Sequence, residues 1–222
     1  MMGKTSQRRI ALLLNTNRKT VARKIKFLGL EKNAKRISWL KCYQKHKALF
    51  VQFDDMVTFE HTKCKPLAIS LMVEEKTRKI LDFEVSPMAA SGNLAKISRK
   101  KYGRRKDGRQ KAWQRLFERS RWIIDENVRF KSDELALYPV MVRKYFPKAT
   151  HLRFKGRRGC VVGQGELKSG GFDPLFDLNH TCAMIRDSLG RLVRRTWCTT
   201  KKPDSLRDLL EIYIDFHNNV LT

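Results

Sequence analysis

The chain has 222 residues, 41% of them hydrophobic, enough for one large domain or a domain with a small appendage. Its 48 Lys and Arg against 22 Asp and Glu leave a formal net charge of +26, spread through a globular composition, which points to a phosphate-bearing partner. No apolar stretch approaches the roughly 18 residues of a membrane span, and the basic start, Met1 to Arg9, has no apolar run of a secretory leader behind it.

A ribosomal protein would share the charge, but small rRNA binders have less need of carboxylates at the ends of apolar strands. The five cysteines, Cys42, Cys64, Cys160, Cys182 and Cys198, are scattered and form no Cys-x-x-Cys pair. That pattern suits a reducing compartment, so a cytoplasmic, unexported protein with no membrane partner is expected. His61 and Cys64 have ligand-like spacing, yet the second pair that zinc requires is missing.

The first segment, 1–30, reads as a helix-turn-helix. A short helix runs from Ser6 to Leu13, with Ile10, Leu13 and Leu14 apolar. Asn15, Thr16 and Asn17 supply turn and cap chemistry, and a second helix runs from Arg18 to Leu28 with Val21, Ile25 and Leu28 on one face. In such a motif the second helix lies in the major groove, which turns Arg18, Lys19, Thr20, Arg23 and Lys24 toward DNA. An ordinary helical hairpin with a solvated basic face has the same spacing. Gly29 is expected to end the helix, and 31–47 to be a basic linker.

Three strand-like segments follow: Leu49 to Phe53 leading into Asp54, Leu67 to Val73, and Lys79 to Val85 after a tight connection at Glu74 to Arg78. An antiparallel meander is the simplest reading. Near 86–111 the composition turns to Gly, Ser, Lys and Arg, and this insertion is expected to be a mobile loop whose Arg99, Lys100, Lys101, Arg104 and Arg105 meet phosphate, or else a merely solvated loop. A helix is expected over Ala112 to Ile124. An extended stretch, Val128 to Ser132, ends at a second carboxylate, Asp133, ahead of a helix from Leu135 to Tyr145; a Ser-Asp pair before a helix is also an ordinary cap. Lys148 to Phe154 reads as another strand, and Gly156 to Gly171 as a Gly-rich basic loop without a Walker pattern.

The last third is helical. Leu178, Cys182, Ile185, Leu189 and Leu192 recur at helical spacing, with Asn179, Ala183 and Arg186 on the adjoining stripe. Arg191, Arg194 and Arg195 add a basic surface at its end. Pro203 opens a final amphipathic helix carrying Leu206, Leu209, Leu210, Tyr213 and Ile214, so 201–222 is expected to pack on the core.

The order strand, strand, strand, helix, strand, helix, strand, helix is that of a ribonuclease-H-like domain, here expected over 48–200. The expected class is therefore α/β: a mixed five-stranded sheet flanked by helices, preceded by a small helical helix-turn-helix. Its first and fourth strands would lie side by side and carry Asp54 and Asp133, and a late helix would bring Asn179 to the same point.

At these residues the chain resembles insertion-sequence transposases with a ribonuclease-H-like catalytic core, most closely the insertion-element-one-like group. Phe53-Asp54-Asp55-Met56-Val57-Thr58-Phe59 looks like the first catalytic aspartate block, and Ser132-Asp133 with Tyr138 resembles the second. The most specific match runs from Leu178-Asn179-His180 through Arg186 and Leu192-Val193-Arg194-Arg195-Thr196-Trp197-Cys198 to Lys201-Lys202. The likeness covers nearly all of the chain after the helix-turn-helix.

The resemblance implies a DNA transposase at a prokaryotic nucleoid, acting as a dimer or higher oligomer on double-stranded transposon ends and target. Asp54, Asp133 and Asn179 would be its catalytic metal ligands for two Mg²⁺ or Mn²⁺ ions that drive end cleavage and strand transfer. Asn179 stands where many relatives have Glu; its amide oxygen can ligate Mg²⁺ without adding charge, and Glu166 is an alternative third ligand. Family members often carry a Cys-rich zinc ribbon before the helix-turn-helix and none is present in this sequence, which fits a truncated element or a distinct subgroup and leaves its end recognition open. Strand alternation lets only one of Asp54 and Asp55 face the metal, and the resemblance selects Asp54. Two other readings stay open: a catalytically degenerate DNA-binding regulator, and a ribonuclease-H-like nuclease that cuts without joining.

Overall fold

The computed structural model describes residues 3–155, 173–193 and 202–222. In chain order its elements are helices α1 (Gln7–Leu13) and α2 (Arg18–Tyr43), then strands β1 (Ala48–Phe59), β2 (Pro66–Glu74) and β3 (Ile80–Pro87). Helices α3 (Leu94–Tyr102) and α4 (Arg109–Ser120), strand β4 (Ile124–Ser132), helix α5 (Leu137–Tyr145) and strand β5 (Thr150–Arg153) follow. Helices α6 (Phe176–Ser188) and α7 (Pro203–Phe216) and a π-helical turn, His217–Leu221, complete the described chain.

The strands form one five-stranded mixed sheet in the order β3-β2-β1-β4-β5. The first three are the antiparallel meander expected from the sequence, and β1, β4 and β5 run parallel to one another. The tight connection after β2 is closed by Glu74 N–H donating to the Lys79 carbonyl at 2.9 Å and Arg78 N–H donating to the Glu74 carbonyl at 3.0 Å, with Lys76 and Arg78 at positive φ. Every residue of β2 from Leu67 to Val73 is buried, because helices cover both faces of the sheet.

Strand alternation divides the core in two. On one face Phe53 meets Trp113 and Phe117 of α4 and Tyr138 of α5, with ring centroids 5.2, 5.5 and 4.9 Å away. On the other, Met56, Leu67, Ile69 and Leu71 pack against Leu178, Cys182 and Ile185 of α6 and Leu206, Leu210 and Tyr213 of α7. Each large side chain so buried contributes about 1.5–3 kcal/mol relative to exposure. The result is an α/β fold with helices on both sides of a mixed sheet. No helix among the described residues is long and apolar enough to cross a membrane.

Several expected boundaries move. The second helix does not stop at Gly29 but continues to Tyr43, so most of the expected 31–47 linker is helical. Gly29 is instead a contact point: a Cβ there would lie 2.7 Å from Asp208 Cβ of α7, and the missing side chain is what lets the two helices approach. The 86–111 insertion holds α3 and the first turn of α4. It is pinned by Ser98 Oγ donating to the Cys64 carbonyl at 2.7 Å and by Gly108 N–H donating to the Pro87 carbonyl at 2.8 Å. The helix expected to reach Ile124 ends at Ser120, since Ile124 already belongs to β4.

The helix-turn-helix spacing is present, with Ser6 Oγ capping α1 by accepting from Arg9 N–H and Asn17 Oδ1 accepting from Lys19 N–H. Its apolar face is narrower than expected: Ala11, Val21 and Ile25 pack with Leu209 of α7, while Leu13 and Leu14 are exposed. Leu189 and Leu192 are buried as expected, although they lie past the end of α6.

Candidate functional site

The parallel register sets the two aspartates level. Gln52 on β1 pairs with Lys131 on β4, so two residues further on each strand Asp54 and Asp133 stand beside each other. There β4 ends, while β1 continues to Phe59 against β2. Asp54 is thus interior to its strand, not at its end as the sequence suggested. The site nevertheless lies at the carboxyl end of the parallel half of the sheet, where such sheets open their clefts.

Asp54 projects to the α6 face and Asp55 to the α4 face, by alternation. Asp55 is held by its surroundings: its Oδ1 accepts from Ser70 Oγ at 2.5 Å and Trp113 Nε1 at 3.1 Å, and Arg109 lies 4.0 Å from Oδ2. Asp54 Oδ1 accepts from the Asp55 N–H at 2.7 Å and from Tyr138 Oη at 3.0 Å. Asp133 Oδ1 accepts from the Leu135 N–H at 3.0 Å, which closes a turn in the loop ahead of α5; the helix itself starts at Leu137, two residues later than expected, with Ala136 at its N-cap and no side-chain cap, so Asp133 is not the cap that the Ser-Asp pair suggested. The Oδ2 atoms of Asp54 and Asp133 have no hydrogen-bond partner among the described residues.

Burial, followed by the negative charge of Asp133, pushes the Asp54 carboxyl up to about 7. Burial and then the neighbouring carboxylates push the Tyr138 hydroxyl far upward, so it stays a proton donor to Asp54. The nearest turn of α6 carries Cys182, whose thiol is raised to about 12, chiefly by burial and partly by the Asp54 charge. Cys182 was visible in the sequence only as a member of an apolar helical stripe, and Tyr138 only through the resemblance at Ser132-Asp133.

Among the described residues the other buried acids have arginine partners. Asp82 is bonded by Arg36 and Arg119, Glu84 by Arg115 and Arg119, and Glu211 by Arg36. Asp54 has none among the described residues. A half-buried, like-charged carboxylate pair with open oxygens fits a hard divalent cation, and Mg²⁺ is typically held by one or two carboxylates plus substrate phosphates. No cluster of three or more His, Cys, Asp and Glu side chains suited to a metal occurs among the described residues.

Asn179 is on the first turn of α6, exposed, with its Nδ2 donating to Asp173 Oδ2 at 2.7 Å. The preceding Leu178 N–H donates to Gln52 Oε1 at 3.0 Å, which places this turn beside Gln52, while Cys182, the next turn, is the part of α6 that senses Asp54. No hydrogen bond joins Asn179 to either aspartate. Glu166, Arg194 and Arg195 lie outside the described residues.

The expected DNA-facing cations divide. Arg18, Lys19, Arg23 and Lys24 are exposed on α2, with Thr20 half-buried, and Arg99, Lys100, Lys101 and Arg104 are exposed at the end of α3. Arg105 is an exception: Nη2 donates to Glu60 Oε1 at 3.0 Å and Nε to the Met88 carbonyl at 3.3 Å, so it ties the insertion to the sheet. Arg186 lines a groove of ≈ 350 Å³ with Val57, Thr58, Phe59, Lys63 and Arg191 beyond Asp54 along β1.

No protein-family model matches this chain, and no curated protein matches it either.

Proposed function

We propose that this protein is a divalent-metal-dependent DNA transposase with a ribonuclease-H-like core, cleaving transposon ends and joining them to target DNA. The observation that carries the reading is the Asp54 and Asp133 pair: adjacent carboxylates, one raised by burial and by the other's charge, without a cationic partner among the described residues of a chain of net charge +26. The strand order, with the first strand parallel to the fourth, agrees with the ribonuclease-H-like arrangement, as do helices on both faces.

The Oδ2 atoms of Asp54 and Asp133 would hold the cation, which when bound activates a water or 3′-hydroxyl and stabilises the leaving oxygen. Tyr138 orients the Asp54 carboxylate through Oδ1 and keeps its other oxygen turned to the ligand. Asn179, if it contributes, does so through Oδ1, since Nδ2 is committed to Asp173. The exposed cations of α2 and α3 and the Arg186 groove would bind phosphate and supply most of the affinity.

One observation favours the second reading, a DNA-binding regulator with a degenerate site: the third position carries no charge and bonds Asp173 rather than either aspartate. Nicking and strand transfer on labelled DNA ends from the flanking sequence, with Mg²⁺ or Mn²⁺, decide between them. The transposase reading expects metal-dependent joining that Asp54→Asn and Asp133→Asn abolish while DNA binding survives. Binding without cleavage in either metal would overturn it, and cleavage without joining would leave a nuclease.

A further inference from the structure

Helix α2 has apolar residues on two opposite faces. The inner one, Val21, Ile25, Gly29, Arg36 and Leu40, rests on α7 and the sheet. The outer one, Phe27, Leu30, Ala34 and Ile37, is exposed, at 60% for Phe27, 62% for Leu30 and 48% for Ile37. These four follow a three-four-three spacing, the a and d positions of two successive heptads, bounded by Arg23 before and Lys41 after.

We propose that this outer stripe is a self-association seam, on which α2 of a second copy packs in parallel. Heptad spacing is what a straight helical partner requires, because it keeps one narrow stripe facing a second helix over successive turns. The flanks select a copy of the same helix. Taking Phe27 as a, position g is Lys26 and the e position five residues on is Glu31, the only acid in the 26-residue helix; its Oε1 lies 3.1 Å from Lys35 Nζ of the same helix, so Lys26 of a second copy would share it through Oε2. In a parallel pair each g residue opposes the e residue of the following heptad in the other copy. Lys26 of one copy therefore meets Glu31 of the other, twice by symmetry, and the next such pair is Asn33 with Ser38, uncharged. An antiparallel pair would bring no opposite charges together at these positions.

Two heptads would not hold isolated peptides together, since each helix would first have to form. Here α2 is already folded and fixed by its inner face, so ordering of the helix is not part of association. The main opposition is the repulsion of two highly cationic chains, which salt screens and DNA phosphates neutralise. The seam is independent of the metal site, so Asp54→Asn is expected to associate like the unaltered chain.

Sedimentation of the full chain at roughly 0.1 and 1 M NaCl, between which the Debye length falls from about 10 to 3 Å, tests this. The expected result is a reversible dimer that strengthens with salt and weakens about tenfold or more in Leu30→Asp and in the milder Leu30→Gln. Circular dichroism and thermal midpoint should be unchanged, as Leu30 is exposed. Under mild oxidation Ala34→Cys should link to itself across the dimer, identified by peptide mapping against the native cysteines, and Lys35→Cys should not. A monomer at both salts, a dimer that both Leu30 variants leave intact, or an Ala34→Cys chain that never links to its own copy would each overturn the proposal.

Discussion

Arg36 and Glu211 are joined by two parallel hydrogen bonds, Nε to Oε2 at 2.9 Å and Nη2 to Oε1 at 3.0 Å, which fasten α2 to α7. The remaining guanidinium nitrogen, Nη1, donates to Asp82 Oδ1 at 2.7 Å on β3. Burial acts to lower the Arg36 pKa, but the Asp82 and Glu211 charges outweigh it and leave it raised. One side chain thus ties α2 to both the sheet and the C-terminal helix.

Removing that side chain leaves two buried acids short of a partner. Arg36→Met is expected to cost about 3–5 kcal/mol in urea unfolding. Breaking the exposed Lys148 and Glu126 pair, at 3.0 Å, should cost about 0–1 kcal/mol. Equal losses at the two sites would refute the role assigned to Arg36.

Gly29 poses helix propensity against packing. Propensity alone favours Ala at this interior position by about 1 kcal/mol. A Cβ, however, would lie 2.8 Å from Asp208 Cα, which is backbone and can move only with α7. Gly29→Ala is therefore expected to destabilise by about 1–3 kcal/mol; a higher thermal midpoint would show that α2 and α7 can separate freely.

The raised Asp54 carboxyl makes stability depend on pH. In the folded chain it holds its proton up to about 7, and in the unfolded chain only to its ordinary value near 3.8. Between these values the folded state binds more protons, so this residue's contribution falls as pH rises through the window and stays low above 7. Asp54→Asn should accordingly stabilise the protein at pH 8 by up to about 4 kcal/mol, with little gain near pH 3.5. Mg²⁺ should raise the midpoint of the unaltered chain at pH 8 more than that of the variant. A gain independent of pH would mean that Asp54 titrates normally.

Arg99 and Arg105 stand six residues apart in one basic segment but should respond differently. Arg99→Ala, at an exposed helix end, is expected to lower the slope of log affinity for DNA against log salt by about 0.9 for the one phosphate lost. Arg105→Ala should instead lower stability by about 1.5–3 kcal/mol through its lost bonds to Glu60 and Met88, with the slope unchanged. The reverse pattern, read by filter binding and urea unfolding, would place Arg105 on the DNA.

Composition, charge and local periodicity determined much of this protein by themselves. Apart from α3, which the basic composition of 86–111 disguised as a loop, the order of described strands and helices from Ala48 to Phe216 follows from runs such as Leu67 to Val73 and stripes such as Leu206, Leu209 and Leu210, because period and apolarity are local properties. Asp54 and Asp133 could be singled out for the same reason, as acids at the edges of apolar runs. What tertiary structure decided are relations between distant residues. The register of Gln52 with Lys131 set the two aspartates level, Asp173 took the amide of Asn179, and Glu60 withdrew Arg105 from the basic surface. Gly29 lies inside a long helix because Asp208 packs on it, and Phe27, Leu30 and Ile37 remain exposed because α7 covers the opposite side. A side chain's partner is fixed by which surfaces the folded chain brings within a few ångströms, and nothing in the neighbouring sequence encodes that distance.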